Sequence, residues 1–280
     1  MSWYRNLVFA IKGFREYTRS GYQSAAAQFD PEELKNVRLD NRVALVTGAN
    51  SGIGFVCSKA LAQRGAEVHL VCRDAGRARA ALEQIQTETG GDSTQSIFVH
   101  QLDLSKPKNV GEFGKYFAEH FAKLDILINS AGCMINTLTV NENNIETNFA
   151  INTLGTYILT ECLIPCLKKS DDFQRTGAFD GTMVYAQNKR QQVVLTEIWA
   201  KAHPSIRFFS MHPGWADTPG ADTAVWLALT PNIKEYENGA FFQDRKPVKK
   251  HLPLARTHSS PEEYSKFLSR MQQIAQPFMT

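Results

Sequence analysis

Between Val43 and Gly54 the chain runs from an unbroken apolar stretch, Val43-Ala44-Leu45-Val46, straight into Thr47-Gly48-Ala49-Asn50-Ser51-Gly52-Ile53-Gly54. No other segment restricts the fold as tightly. A continuous apolar run is what a parallel strand buried on both faces requires. Glycines at 48, 52 and 54 let the backbone turn tightly and approach a pyrophosphate, while a helix starting there presents free N–H groups and the positive end of its dipole. Gly48, Asn50, Ser51, Gly52, Ile53 and Gly54 are therefore candidate phosphate-binding residues. Strand-to-helix turns contain glycine for purely structural reasons too, so the turn gains weight from its setting. Its G-x-x-x-G-x-G spacing departs from the commoner G-x-G-x-x-G fingerprint, which points to a distinct group of dinucleotide folds.

The setting is an alternation of short apolar runs with longer helical stretches. Strands are expected at Val43–Val46, Glu67–Cys72, Ser96–Leu102, Asp125–Asn129, Ile206–Met211 and Ala240–Phe242. Helices are expected at Phe55–Ala62, Arg77–Thr87, Gly111–Phe121, Ile145–Leu167, Thr182–Ala200 and Ala221–Leu229. This order predicts an α/β fold, a doubly wound parallel sheet of Rossmann type. Residues 41–248 form the dinucleotide-binding domain in this reading, with an amphipathic N-terminal extension at 1–40 and a C-terminal extension at 249–280. That last segment is expected at the surface, ending in an amphipathic helix near Tyr264–Ile274.

At the end of a second strand such folds read the adenosine ribose, with an acid for a free 2′-hydroxyl or a base for a 2′-phosphate. The run here is Val71-Cys72-Arg73-Asp74, so Arg73, with Arg77 behind it, meets a phosphate better than Asp74 meets a hydroxyl. NADP is favoured, and NAD is the alternative. Asp103 faces the adenine or caps the helix that follows, and the two roles are compatible. Further on, Tyr185 and Lys189 are spaced to stack on one helix face. A phenol with an ordinary pKa near 10 needs a neighbouring cation to exchange protons close to neutrality, and Lys189 is that cation.

Taken in order, these elements resemble the short-chain dehydrogenase/reductase family over residues 43–220. Thr47–Gly54 resembles its cofactor turn, and Asn129-Ser130-Ala131-Gly132 its N-N-A-G element. Tyr185 and Lys189 resemble its catalytic pair. Asn152 is similar to the helix asparagine that holds a proton-relay water, and Pro213-Gly214 with Thr218 to the element that meets the nicotinamide. The resemblance implies hydride transfer between a nicotinamide and a small-molecule carbonyl or alcohol. Tyr185, Lys189 and Asn152 would be catalytic, while Asn129, Ala131, Gly132, Pro213 and Thr218 would join the cofactor site. It also implies helix-mediated homodimers.

The chain departs from the family at the substrate-polarising serine, which follows strand five. Between Leu167 and Gly181 there is neither a β-branched apolar run nor a serine pair, so strand five is expected to be missing, and Ser170 is a poor replacement. The lid that usually follows the P-G element is short as well. Two readings follow: an NAD(P)-dependent oxidoreductase in shortened form, or a catalytically impaired variant that binds cofactor or a partner.

Other classes are excluded by composition. Among 280 residues, 31 Lys and Arg against 28 Asp and Glu leave a formal charge of +3, too little for a nucleic-acid binder. Five scattered cysteines argue against a disulfide framework, and no His or Cys spacing suggests a metal site. Arg5, Lys12, Arg15 and Arg19 interrupt the N-terminal apolar stretch, so no secretion signal forms. Trp3, Tyr4, Leu7, Val8, Ile11 and Phe14 make an amphipathic stripe that lies in a membrane interface, docks on the protein body, or covers a partner. An intracellular location is expected, cytoplasmic or peripherally membrane-associated.

Overall fold

The computed structural model describes residues 7–8, 10–90, 96–169, 174–177, 183–214, 219–251 and 258–280, with side chains except at 174–177 and 183–185. Strand β1 (Val43–Thr47) lies parallel between β2 (Glu67–Cys72) and β4 (Ile126–Asn129), and β3 (Ile97–Gln101) extends the sheet beyond β2. Successive strand side chains point to opposite faces, so each apolar run feeds two cores. Ala44, Val46, Val68, Leu70, Ile126 and Ile128 fall in one, and Leu45, Val71 and Leu127 in the other. Helices Gly52–Ala62, Ala75–Glu88 and Asp222–Leu229 cover the first face. Pro107–His120, Thr147–Leu167 and Met183–Ala202 cover the second. The sheet is doubly wound and Rossmann-like, as expected.

The site expected to lack strand five holds a short one. Strand β5 (Gln174–Gly177) pairs with β4 from Ile126↔Gln174 to Asn129↔Gly177, giving the order β3-β2-β1-β4-β5-β6. Its sequence, Gln-Arg-Thr-Gly, lacks the apolar signal of a buried strand, which is why the pattern hid it. Backbone pairing needs no apolar side chains, only amides and carbonyls that would otherwise be left unpaired beside β4. It neighbours β6 (Arg207–Phe208) for only two residues. The expected single strand Ile206–Met211 is accordingly split: Ser210–Met211 is β7 of a second sheet with β8 (Phe241–Gln243) and β9 (Lys246–Pro247). Asn238 marks the break, accepting from Phe208 N at 2.7 Å and donating to Ile206 O at 2.8 Å.

The C-terminal segment is more than a surface tail. Its helix, Pro261–Met279, starts from a Ser260–Glu263 capping box and buries Met271 and Ala275 in the second core. It approaches the Pro107–His120 helix so closely that a Cβ on Gly111 would lie 1.7 Å from Phe278 O. At the other end, residues 10–12 are helical and run into a π-turn at Gly13–Tyr17, and Tyr17 is buried with its ring 4.3 Å from that of His212. The docked residue leaves a stripe open: Leu7, Ile11 and Phe14 are 42%, 60% and 74% exposed. In the connection that follows, Asp30 caps a turn at Glu32 N (2.9 Å), and Glu33 accepts from Trp226 and Thr230, tying the extension to the Asp222–Leu229 helix. The 21-residue Thr147–Leu167 helix is apolar enough to cross a membrane, but 83% of its most apolar 18-residue stretch is buried inside the protein, as in a core helix.

Candidate active site

Where the sheet order reverses between β1 and β4, the carboxyl ends of the strands open into a crevice of about 720 Å³. Gly48, Asn50, Ser51, Gly52, Ile53, Arg73, Asp103, Ala131 and Gly132 all line it. The turn depends on its glycines. Gly48 sits at φ +66°, and a Cβ there would come within 2.9 Å of Ala131 Cα. Ala131 N donates to Thr47 Oγ1 at 3.0 Å, holding the β4 loop against the turn. A Cβ on Gly54 would stand 2.4 Å from Gly48 O, so the turn closes on itself there. Gly52, at φ +55°, faces open space at the helix mouth. Ser51 makes no side-chain cap, which leaves the first amides of the Gly52–Ala62 helix to the crevice.

At the far rim, Asp74 is spent on structure. Its Oδ1 accepts from Arg77 N at 2.8 Å and caps the Ala75–Glu88 helix, and Asp74, Arg73 and Arg77 are all exposed and line the crevice. Asp103 lines the crevice, and its Oδ1 accepts from Ser105 N at 2.9 Å in a local turn; it does not cap the helix that follows, whose N-cap is Lys106 with no side-chain bond.

The opposite end gathers the other candidates. Tyr185 and Lys189 lie one turn apart on the Met183–Ala202 helix; the Tyr185 side chain, Thr218 and Ser170 lie outside the described residues. Lys189 Nζ is 3.7 Å from where a Gly132 Cβ would be, at the crevice edge. It donates to Gln192 Oε1 at 2.9 Å, and Gln192 Nε2 donates to Asn152 O at 2.6 Å. The expected relay asparagine is therefore tied to the lysine by an amide side chain. Asn152 itself is fully buried in a π-helical stretch, Ala150–Gly155, and its side chain both accepts from Cys133 N (2.9 Å) and donates to Cys133 O (2.8 Å). Burial and the Glu146 carboxylate push the Cys133 thiol up, which keeps it protonated. Asn129 and Pro213 line a second, smaller cavity beside the crevice, together with Lys189. His212 braces the P-G turn by accepting from Gly214 N at 3.0 Å and stacking on Tyr17.

Two residues here escaped the sequence reading. Gln192, three positions after Lys189 and hence on its helix face, could have been found from spacing. Asn148, which clamps Ile135 through both amide atoms at 2.7 and 2.9 Å, carries no local signal.

The chain belongs to the short-chain dehydrogenase family, which matches residues 42–224. Membership places it among nicotinamide-dependent oxidoreductases. It is similar to human Dehydrogenase/reductase SDR family member 12, with 48% identity over 322 positions covering 99% of this chain and all of the relative. That alignment is longer than the 280 residues of this chain, so the relative carries stretches with no counterpart here. Human Retinol dehydrogenase 11 is 32% identical over 254 residues, covering 74% of this chain and 79% of the relative. Among solved structures, a short chain dehydrogenase from Shigella flexneri complexed with NADP shares the fold with a TM-score of 0.63 at 24% identity, covering 77% of this chain and all of that one.

Proposed function

We propose that this protein is an NADP-dependent oxidoreductase that moves a hydride between nicotinamide and a carbonyl or alcohol. The observation that carries the reading is the crevice with Arg73 and Arg77 at one rim and Lys189 at the other, joined by the Gly48–Gly54 turn. The cradle fits a dinucleotide: Gly48 and Gly52 put no side chain in the way of a diphosphate, and the first amides of the Gly52–Ala62 helix face it. Two exposed arginines suit a 2′-phosphate better than Asp74, one of whose oxygens caps a helix, suits a hydroxyl. When bound, the nicotinamide supplies or accepts the hydride. Of this chain's residues, Tyr185 exchanges the substrate hydroxyl proton, and Lys189 lowers the phenol's hold on that proton and is itself held by Gln192.

A second reading, a catalytically impaired cofactor-binding protein, is favoured by β5, whose Gln-Arg-Thr-Gly holds no serine to polarise a substrate. Titration of the chain with NADPH and NADH, followed by turnover assays on aldehydes, ketones, retinoids and steroids, separates the two. Tighter NADPH binding with turnover supports the enzyme, binding without turnover supports the silent form, and no binding of either nucleotide refutes both. In Arg73→Ala the preference for NADPH should fall about tenfold or more, as loss of a charge-assisted phosphate contact implies.

The exposed Leu7, Ile11 and Phe14 stripe, accompanied by Lys12, Arg15 and Arg19, supports peripheral contact with an anionic membrane. Co-sedimentation with phosphatidylserine vesicles should be lost in Ile11→Ser/Phe14→Ser. A homodimer follows from the family resemblance and is checked by sedimentation velocity.

A further inference from the structure

Beside the crevice lies a cavity of about 180 Å³, walled by the Thr147–Leu167 and Met183–Ala202 helices and by strands β4, β7 and β8. Its walls include Asn129 and Pro213, whose chain neighbours Ser130 and Gly214 line the crevice itself, so the two spaces adjoin. Most of its surface is apolar and comes from Val193, Trp199, Phe209, Met211 and Phe241.

Two hydroxyls break that apolar wall. Thr156 Oγ1 and Ser210 Oγ are shut off from solvent and make no hydrogen bond, on residues only 3% and 5% exposed. Buried polar groups are almost always paired, because their lost hydration is otherwise uncompensated. A serine or threonine inside a helix can donate to the carbonyl four residues back. Ser58, Thr160 and Thr196 do so here, at 2.8, 2.7 and 2.8 Å. Thr156 does not, and the carbonyl it would use, Asn152 O, is held by Gln192 Nε2 at 2.6 Å.

The charges at the cavity are committed elsewhere. Lys189 Nζ donates to Gln192 Oε1 at 2.9 Å. The Arg190 side chain faces Tyr264 and Glu197, which line a different pocket. An anion would have to take a cation from those partners, whereas a neutral oxygen needs only the two hydroxyls. An alcohol, phenol or carbonyl oxygen can pair with either of them, since a hydroxyl both donates and accepts. An apolar cavity of about 150 Å³ takes up benzene, so the volume here suits a single six-membered ring.

We propose that this cavity binds a compact neutral ring carrying a hydroxyl or carbonyl oxygen, with Thr156 and Ser210 as its hydrogen-bonding residues. Because the cavity adjoins the crevice, the ring is one end of the substrate, and its oxygen is distinct from the reacting one. That last step rests on the oxidoreductase reading; the binding site itself does not.

The test is fluorine NMR titration of the full chain, without nucleotide, using 4-fluorophenol and 4-fluorotoluene, two rings of similar size that differ in the hydroxyl. The phenol should bind at least tenfold more tightly. Ser210→Ala and Thr156→Val should each cut that preference at least threefold, and the double variant should erase it. Should Ser210→Ala fail to fold by circular dichroism, Thr156→Val, which keeps the side-chain shape, carries the test alone. Equal binding of the two rings, binding of neither, or a preference untouched by the substitutions would overturn the proposal, the second outcome meaning a cavity filled with water alone. NADPH titration of the same sample keeps the two readings apart. Nucleotide binding without a phenol preference sinks only the ring site, whereas a phenol preference without nucleotide binding sinks only the oxidoreductase reading.

Discussion

Acid should weaken this protein through a histidine pair at the edge of the sheet. His69 on β2 is completely buried among the rings of Phe98, Phe117 and Phe121, with centroids 5.0, 4.9 and 4.4 Å away. Its Nε2 faces Glu67 Oε1 at 2.9 Å and its Nδ1 faces His100 Nε2 at 2.8 Å. With the carboxylate taking the His69 Nε2 proton, the His69 Nδ1 lone pair accepts from His100, so the chain is satisfied with both rings neutral. Burial lowers the pKa of His69, opposed by Glu67, and burial together with its neighbour takes His100 from 6.5 down to about 4. A folded-state pKa below the unfolded one means the unfolded chain binds the proton first. Stability is then complete above about pH 6.5 and is lost as pH falls toward 4. The full drop corresponds to roughly 3 kcal/mol, and the partly solvated His100 ring reduces this to about half. Between pH 7 and 5 the expected loss is about 1 kcal/mol, or roughly 2 to 4 °C in Tm for a chain of this size. Urea denaturation at the two pH values, on the wild type and on His100→Gln, measures it. Glutamine can still donate to His69 but does not titrate, so the variant should lose about 1 kcal/mol less on acidification. Carboxylates titrating below pH 5 affect both proteins alike and cancel. Equal losses in the two proteins, or a wild type that gains stability in acid, would refute the reasoning.

Three further outcomes are expected. Gly54→Ala forces a Cβ to 2.4 Å from Gly48 O, so NADPH binding followed by fluorescence should disappear even where circular dichroism shows a folded protein. Asp125→Asn removes a buried charge that accepts from Arg42 Nη1 at 2.9 Å and Val43 N at 2.9 Å and lies 3.2 Å from Lys123; urea midpoints should report a loss of about 2 kcal/mol or more, since cations remain beside a neutral amide. Gln192→Leu cuts the bridge between Lys189 and Asn152 O, so the pH profile of kcat should move while KM for NADPH stays within about twofold; an unmoved profile would deny Gln192 any positioning role.

The fold was legible from Val43–Gly54 onward because its physics is local. An unbroken apolar run, a glycine turn and alternating periods are written in consecutive residues, and so were Arg73, Asp103 and the Tyr185–Lys189 spacing. Strand β5 was not legible, because Gln174–Gly177 is held by backbone pairing to β4 and carries no apolar signature. The docking of the Pro261–Met279 helix was hidden for a related reason: what admits it is the absence of a side chain on Gly111, more than 140 residues away. Sequence alone determined the doubly wound sheet, the glycine turn after its first strand and the family. Only the tertiary structure decided that Gln192 stands between Lys189 and Asn152, and that Thr156 and Ser210 line one cavity. Spacing along a chain constrains neighbours within a turn or a strand pair, whereas groups from three separate elements meet only once packing has placed them.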